Sequence, residues 1–235
     1  LWQDSAGTVP VTAVEQPVGS ILDKSGRGNH AIQATTTKRP ILSRLVNRFT
    51  KTEGFSDTEW RSNLFGNWNI NNARSAATSP SPLGDFTAST ISFTSPQGTV
   101  CVGQRAAVSP GAYRVLLWVR LTPGVPSLAS AFMNIGVANG SSNAFVAPFS
   151  NILNIGPQLT ESWKLFTLDH TVPASGVNQI EFLINKTSSA DSCSIDVWGA
   201  SLTLATDAHL PYQWVNTPTD YDADPAKFPA YRSLD

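Results

Sequence analysis

The sequence predicts an all-β protein, an antiparallel β-sandwich with extended arms at both ends. Short runs of β-branched and aromatic residues recur along the chain, separated by Gly, Pro, Ser and Asn, as strands and turns are in a sandwich. Within several runs apolar and polar residues alternate with the period of two that a half-buried strand requires. The chain holds 16 Gly and 16 Pro and shows no helical period, so we expect few helices.

Residues 1–45 form the first predicted element, an extended N-terminal arm with short strands. Turn residues recur every few positions, as between Asp23 and Gly28, and the turn-rich block that starts at Asp23 ends at Arg39-Pro40. So short and polar a segment buries too little surface to fold alone. We therefore expect it to lie on a neighbouring domain or a neighbouring subunit.

Residues 46–206 form the predicted sandwich. Aromatic residues punctuate its polar entry segment, at Phe55, Trp60, Phe65 and Trp68. The strands that follow are predicted at Phe86–Phe93, Thr99–Val102, Ala112–Leu121, Ala131–Ala138, Ala144–Phe149, Trp163–Val172, Gln179–Asn185 and Cys193–Ala205.

Alternation assigns faces to three of these strands. One face of Tyr113–Leu121 is apolar, and the other carries Arg114, Trp118 and Arg120. Gln179–Asn185 alternates in the same way, with Gln179 and Glu181 on its polar side. In the last strand we expect Trp198, Ala200 and Leu202 to share a face towards the core.

Residues 207–235 form the last predicted element, an extended C-terminal tail. The segment is rich in Pro, Asp and Tyr and has no periodicity. We expect its aromatic residues to pack against the sandwich or against another chain.

Composition excludes several classes of partner. The formal net charge is -1 and only 14% of residues are charged, so no basic excess indicates nucleic acid or an anionic membrane. No apolar run reaches the length of about 20 residues that a membrane-spanning helix needs.

Because the chain starts at Leu1 without a signal-like segment, we expect a piece of a larger polypeptide or a processed product. Cys101 and Cys193 are either two buried thiols or a disulfide between strands.

Four motifs in order resemble one known group of domains. They are N-R-F-T-K-T-E-G-F-S-D-T-E-W at residues 47–60, Y-R-V-L-L-W-V-R-L at 113–121, E-S-W-K-L-F-T at 161–167, and I-D-V-W-G-A-S-L at 195–202, followed by P-Y-Q-W-V at 211–215. Together they resemble the carbohydrate-binding-type jelly rolls of bacteriophage tail and fibre proteins. The resemblance implies a non-enzymatic phage virion protein, and a homo-oligomer, as a rule a trimer. Ser201 and Thr203 stand where the family usually has Gln and often has Glu, so we expect no cofactor; a structural calcium ion, as in related sugar-binding modules, stays an alternative without support.

Other patterns lack the context that their chemistry needs. G-x-G-x-x-A at residues 26–31 is followed by a β-branched run that ends in Pro, whereas a dinucleotide site requires a helix there. His30, His170 and His209 are too scattered for a zinc site. The series Asp220, Asp222, Asp224 lacks the Gly and Glu of a calcium loop. No catalytic or metal-binding residue is predicted.

Tryptophan and polar side chains on one sheet indicate a sugar-binding surface. A flat indole packs against the apolar face of a sugar ring while neighbouring polar groups hydrogen-bond its hydroxyls. The predicted glycan-binding residues, expected on one sheet face with Trp118 as the platform, are Trp118, Arg114, Arg120, Asn134, Lys164, Gln179 and Glu181. The alternative is that Trp118 packs against an adjoining subunit or arm, since aromatic residues and Arg are also enriched at protein interfaces.

The expected function is adhesion to host-surface glycans in a tail fibre, spike or baseplate. The partners are then host cell-surface polysaccharide and other virion proteins, and the location is the virion surface or tail, without nucleic acid or membrane insertion. Two alternatives stay open: a structural decoration or connector module that binds other virion subunits, and an accessory domain of a larger depolymerase.

Overall fold

The computed structural model describes most of the chain and divides it into two units. The described residues are 1–12, 16–23, 25–39, 41–43, 47–60, 72–93, 100–125, 131–138, 151–174, 179–186, 193–207, 212–217 and 230–232. The larger unit comprises residues 47–208 and 214–217, and the smaller comprises residues 1–46, 209–213 and 218–235.

Nearly all regular structure is β. In chain order the strands are β1 (Ser20–Ile21), β2 (Ala31–Ile32), β3 (Ile41–Ser43), β4 (Asn72–Ser79), β5 (Ala88–Phe93), β6 (Val100–Ala107), β7 (Gly111–Leu121), β8 (Ala131–Ala138), β9 (Asn151–Asn154), β10 (Lys164–Val172), β11 (Gln179–Lys186), β12 (Cys193–Leu204) and β13 (Ala230–Arg232). The helices of the described segments are single 3-10 turns at Thr36–Lys38, Gly156–Gln158 and Ala205–Asp207. None of the helices in those segments is long and apolar enough to cross a membrane.

The larger unit is an antiparallel β-sandwich, which confirms the predicted fold class. One sheet has the strand order β10-β7-β12-β5-β4 and the other has the order β6-β11-β8-β9. Adjacent strands run antiparallel throughout both sheets. The buried faces of the two sheets supply most of one hydrophobic core, as expected when each sheet has a single apolar face.

The predicted strands match most of the observed ones. β7, β8, β10, β11 and β12 lie within one or two residues of their predicted ends. The sequence did not predict β4, because its residues N-A-R-S-A-A-T-S offer no apolar alternation, or the four-residue β9. The predicted strand Ala144–Phe149 and the aromatic residues Phe65 and Trp68 fall outside the described residues.

A β-bulge changes the faces predicted for the last strand. The register of β12 against β7 shifts between Trp198 and Ser201, and Gly199 has a φ of 65°, a left-handed value that favours glycine. Trp198 therefore lies opposite Trp118 on the outer side of the sheet, while Ala200 and Leu202 belong to the core. The prediction that these three residues share a face is wrong, since strict alternation does not survive the extra residue.

The entry segment is anchored by an aromatic cluster and one buried amide. The ring of Trp60 packs against Phe55 at a centroid distance of 4.3 Å and against Phe49 at 5.7 Å. Asn47 Nδ2 donates to the carbonyl of Ala200 (3.0 Å), and its Oδ1 accepts from the amides of Phe49 (3.1 Å) and Leu202 (2.9 Å). One side chain thus joins the start of the unit to its last strand.

The smaller unit contains two short antiparallel pairs, β1 with β2 and β3 with β13. The backbone of Trp2 bridges to Ser20 and Pro10. Gly19 lies so close to Asp4 that a Cβ there would come within 2.5 Å of the Asp4 carbonyl carbon, which explains the glycine. Residues predicted as an arm therefore form local β-structure.

Several predicted features cannot be placed. His209 and the Asp220–Asp224 series fall outside the described residues. Cys101 lies on β6 and Cys193 on β12, in different sheets, and their side chains are also outside the described part. The choice between two thiols and a disulfide stays open.

Candidate functional site

The predicted glycan-binding residues lie on both sheets. Arg114, Trp118 and Arg120 are on β7 in the five-stranded sheet, whereas Asn134 on β8 and Gln179 and Glu181 on β11 are in the four-stranded sheet. The expectation of one shared sheet face is wrong, because the sheet to which a strand belongs depends on long-range pairing that local alternation does not encode.

Lys164 does not lie beside Trp118 either. It pairs with Val119 in the register of β10 against β7, so its side chain leaves the sheet on the opposite side from Trp118. Its Nζ donates to Gln158 Oε1 at 2.8 Å and lies 5.2 Å from the centroid of the Phe166 ring. Lys164 is the first residue of β10, and these contacts keep its side chain away from both groups of predicted residues.

The outer side of the four-stranded sheet gathers a set of polar groups, here called the polar sheet face. Strand pairing places Glu181 between Arg105 on β6 and Gly136 on β8, and Leu183 between Gly103 and Asn134. The members of the polar sheet face are Arg105, Asn134, Gln179, Glu181, Leu183 and Asn185. Gly103 and Gly136 have no side chains, so nothing projects from these two positions beside β11.

An ion pair crosses the polar sheet face. Arg105 Nε lies 3.1 Å and Nη2 3.0 Å from Glu181 Oε2. The Arg105 side chain is 13% exposed and that of Glu181 is 0% exposed. A carboxylate this deeply buried needs such a partner, since an unpaired buried charge is strongly unfavourable. Glu181 was predicted as a ligand contact; the structure shows it held by Arg105.

Two amide oxygens on the polar sheet face have no hydrogen-bond partner. Asn134 donates through Nδ2 to Asn185 Oδ1, which leaves the buried Asn134 Oδ1 unsatisfied. Gln179 Oε1 is also buried and unsatisfied. Each such acceptor costs about 1–3 kcal/mol when nothing donates to it. Both oxygens are thus acceptors that the protein leaves without a donor, in positions closed to solvent.

The centre of the polar sheet face is closed to solvent, whereas part of its rim is exposed. Glu181 and Leu183 are buried at its centre, Gln179 is half-buried, and Ala107, opposite Gln179, is exposed. Ile152 on the edge strand β9, opposite Asn134, is 61% exposed. An exposed and partly apolar margin thus borders polar groups that are themselves closed to solvent.

On the other sheet, Arg120 belongs to a buried structural network. Asp196 is fully buried and accepts from Arg120 Nε (2.9 Å) and from the hydroxyls of Ser79 (2.6 Å), Thr90 (2.8 Å) and Thr122 (3.0 Å). Arg120 Nη2 donates to Ser79 Oγ at 2.9 Å. The guanidinium also lies 4.8 Å from the centroid of the Trp163 ring, a cation–π distance. The guanidinium of Arg120, which was predicted as a ligand contact, is thus engaged in contacts within the protein.

Trp118 lies on a more apolar surface, here called the tryptophan face and made of Arg114, Leu116, Trp118, Leu165 and Asp169. Trp118 is half-buried, and Leu165, directly opposite on β10, is 41% exposed. Arg114 and Asp169 form a two-pronged pair with distances of 2.6 and 2.8 Å. Its hydrogen bonds lower the pKa of Asp169 and raise the pKa of Arg114. The tryptophan face combines apolar contact area with one exposed ion pair.

A braced turn in the same unit displays two further apolar side chains. Leu83 is 75% exposed and Phe86 65% exposed. The ends of the turn are held by indole donors, from Trp163 Nε1 to the Pro80 carbonyl (3.2 Å) and from Trp198 Nε1 to Thr87 Oγ1 (2.8 Å). Large apolar groups held out to solvent in this way are typical of a protein contact.

The sequence did not indicate Arg105, and it placed Asn185 on the polar side of its strand without selecting it as a site residue. Arg105 stands in V-C-V-G-Q-R-A-A, where alternation alone gives no reason to select it. Its place in the polar sheet face follows from its pairing with Glu181, 76 residues away.

The described residues contain no group of three His, Cys, Asp or Glu side chains placed to hold a metal ion.

No family model and no curated protein matches this sequence. Among solved structures, the enzymatically active domain of tailspike protein 4 from bacteriophage CBA120 is similar with a TM-score of 0.50 and 15% identity, over 68% of this chain and 21% of that one. The chain thus spans about a fifth of the tailspike chain.

Carbohydrate-binding modules are similar at lower scores. A xylan-binding domain of CBM 22 is 12% identical, with a TM-score of 0.44 over 68% of this chain and 96% of that one. A CBM61 module in complex with β-1,4-galactotriose is 14% identical, with a TM-score of 0.40 over 67% and 98%. At such identities the likeness concerns the β-sandwich fold alone.

Proposed function

We propose that this chain is a non-catalytic glycan-binding module and that it binds polysaccharide on the polar sheet face. The observation that carries the proposal is the pair of buried, unsatisfied acceptors, Asn134 Oδ1 and Gln179 Oε1. Sugar hydroxyls are donors of the right kind, and a fixed sheet positions the two oxygens without an ordering cost. Binding would thus satisfy groups that the free protein leaves unsatisfied.

The apolar groups of the polar sheet face complement this hydrogen bonding. The exposed Ile152 lies on the edge strand beyond Asn134, whereas Leu183, between Gly103 and Asn134, is fully buried. A sugar ring has apolar C–H faces as well as hydroxyls, so aliphatic side chains beside amides suit both of its surfaces. We propose Asn134 and Gln179 as direct contacts and the Arg105–Glu181 pair as their charged neighbour.

We further propose that the module works in a phage virion, in a tail fibre, spike or baseplate, where it attaches to host-surface polysaccharide. The support is the order of the four sequence motifs and the fold shared with a phage tailspike domain. Attachment to other virion proteins and homo-oligomerisation, as a trimer, belong to the same proposal. The accessory domain of a depolymerase would use the same polar sheet face, with catalysis elsewhere in its polypeptide.

A connector role is the second candidate, favoured by the tryptophan face. Trp118 and Leu165 on the sheet, and Leu83 and Phe86 on the braced turn, offer exposed apolar area. Aromatic and aliphatic area of this kind is common at protein interfaces. Under this proposal the tryptophan face contacts another virion subunit and the polar sheet face holds the glycan.

The experiment compares variants of the two faces in one binding assay. Isothermal titration or affinity electrophoresis with host-surface polysaccharide is run on the wild type, on Asn134→Ala with Gln179→Ala, and on Trp118→Ala. We expect the double variant to lose binding by on the order of tenfold or more, because two hydrogen bonds disappear, and Trp118→Ala to bind as the wild type does. Loss in Trp118→Ala alone would move the glycan site to the tryptophan face. No binding of any host-surface fraction by the wild type would refute the glycan proposal.

A further inference from the structure

We infer that a pocket at Arg48 binds the carboxylate of an acidic sugar, so that the module prefers acidic polysaccharide to neutral polysaccharide. The pocket, here called the Arg48 pocket, has a volume of about 280 Å³ and is lined by Arg48, Ala107, Val108 and Ser109. This inference rests on the proposed function. It adds a second contact for the same polysaccharide, outside the polar sheet face.

The backbone at Arg48 is held by strands of both sheets. The Arg48 amide donates to the carbonyl of Leu202 on β12 at 2.8 Å. Two residues later, Thr50 exchanges two hydrogen bonds of 2.9 Å with the side-chain amide of the buried Gln104 on β6. Arg48 itself is exposed, whereas both of its neighbours in the chain are buried. A ligand that bound Arg48 would therefore have to order one side chain and no loop, which limits the entropic cost of binding.

The guanidinium of Arg48 has no partner among the described residues. The ion pairs within those residues engage Lys51, Arg105, Arg114 and Arg120, and Arg48 takes part in none of them. Its hydrogen bonding to the same part of the chain is limited to the backbone bond described above. The described lining of the pocket also contains no carboxylate. All five N–H donors of the guanidinium are thus open to an anionic ligand.

The other groups of the Arg48 pocket suit a sugar that carries a carboxylate. Ser109 is exposed, and its hydroxyl can donate to the carboxylate or bond a neighbouring sugar hydroxyl. The loop of Ser109 is anchored, because Tyr113 Oη donates to the Ser109 carbonyl at 3.0 Å. Val108 packs against the core and offers an apolar wall to the C–H face of a sugar ring. Because a guanidinium binds a carboxylate through two parallel hydrogen bonds, these groups together match a uronic acid.

The Arg48 pocket borders the rim of the polar sheet face. Ala107 lines the pocket, and in the register of β6 against β11 it lies opposite Gln179. β6 is an edge strand of the four-stranded sheet, so a polysaccharide bound along this edge would meet both sites. The neighbouring glycan site favours an acidic sugar over an acidic protein segment as the occupant of the pocket.

The test uses one polysaccharide in two charge states. An acidic bacterial capsular polysaccharide is compared with its carboxyl-reduced form, in which each uronic acid has become a neutral hexose. Titrations are run on the wild type, Arg48→Met and Lys38→Met at about 50 and 300 mM NaCl. Lys38→Met is the matched control, because it removes one exposed positive charge that does not line the pocket.

We expect the wild type and Lys38→Met to bind the acidic form on the order of tenfold more tightly than the reduced form at the lower salt concentration. This preference should shrink at the higher concentration, since an exposed charge pair is screened by salt. Arg48→Met should lose most of the preference and bind the reduced form as the wild type does. A circular dichroism melt of Arg48→Met within a few degrees of the wild type shows that the loss reflects charge and not unfolding.

The outcomes separate this inference from the proposed function. If the wild type binds the reduced form as tightly as the acidic form, or more tightly, the preference is overturned while glycan binding stands. The pocket is also ruled out as its source if Arg48→Met keeps the preference or Lys38→Met loses it equally. If the wild type binds neither form, nor any other host-surface glycan, the proposed function fails and this inference with it.

A second titration separates the two kinds of acidic ligand. Poly-glutamate offers carboxylates on a polypeptide instead of a sugar chain. We expect the wild type to bind it on the order of tenfold more weakly, per carboxylate, than the acidic polysaccharide, because it lacks the ring and hydroxyls that Val108 and Ser109 contact. Equal or tighter binding that is lost in Arg48→Met would assign the pocket to an acidic protein segment and overturn the inference.

Discussion

The replacement of Arg120 by Met tests whether this residue holds the sandwich together or binds ligand. Arg120 faces the fully buried Asp196, and the two side chains are 13% and 0% exposed. Loss of one partner of a buried ion pair typically costs about 3–5 kcal/mol, because the other charge is left behind. Three hydroxyls still donate to Asp196 in the variant, so we expect the lower end, about 3 kcal/mol.

The measurement is urea denaturation of Arg120→Met followed by circular dichroism, with Arg114→Met as the matched control. Arg114 pairs with Asp169 at the surface, where such pairs contribute about 0–1 kcal/mol, so its loss should be nearly neutral. For a protein of this size, about 3 kcal/mol corresponds to a Tm lower by about 6–12 °C. Adding Asp196→Asn to Arg120→Met should recover part of the loss, since no buried charge then stays unpaired. The reasoning is refuted if Arg120→Met costs no more than Arg114→Met while glycan binding disappears.

Three further predictions concern stability. Asn47→Ala removes three buried hydrogen bonds and should lower the free energy of unfolding in urea by about 3 kcal/mol; a loss below about 1 kcal/mol would contradict the anchoring role. Lys186 is fully buried, and no described residue bonds its Nζ, so Lys186→Met should raise stability by about 1–3 kcal/mol, whereas a loss would show that the amine is engaged. Burial lowers the pKa of His170 from its ordinary 6.5, so below about pH 6.5 the unfolded chain takes up the proton first and stability falls. The Tm difference between about pH 7.5 and 5.5 should therefore shrink in His170→Gln, and an unchanged difference would assign the pH effect to other groups.

The fold class could be predicted because each half-buried strand repeats the same local pattern. β7 shows this best, since every second residue from Tyr113 to Leu121 is buried, as alternation requires. β4 could not be found in this way, because its pairing with β5 depends on backbone hydrogen bonds that small polar residues make as readily as apolar ones. The bulge at Gly199 could not be predicted either, because no pattern in the sequence marks the extra residue that puts Trp198 on the outer side of the sheet.

The sequence indicated residues for the candidate site but not which of them lie on the same sheet. Asn134, Gln179 and Glu181 lie together on the polar sheet face, yet they were expected beside Trp118, which lies on the other sheet. Arg120 was chosen as a ligand contact because no local pattern reveals Asp196, its partner 76 residues later. Charge pairs and sheet membership depend on distant parts of the chain, and only the folded strand order brings them together.

The most direct test of glycan binding on the polar sheet face is NMR of the labelled protein during titration with host-surface polysaccharide. The proposal predicts shifts of the side-chain amides of Asn134 and Gln179 and of the Leu183 methyl groups, on the four-stranded sheet, while the Trp118 indole N–H stays unchanged. Shifts centred on Trp118 and Leu165, with Asn134 and Gln179 unaffected, would contradict it and assign the glycan to the tryptophan face.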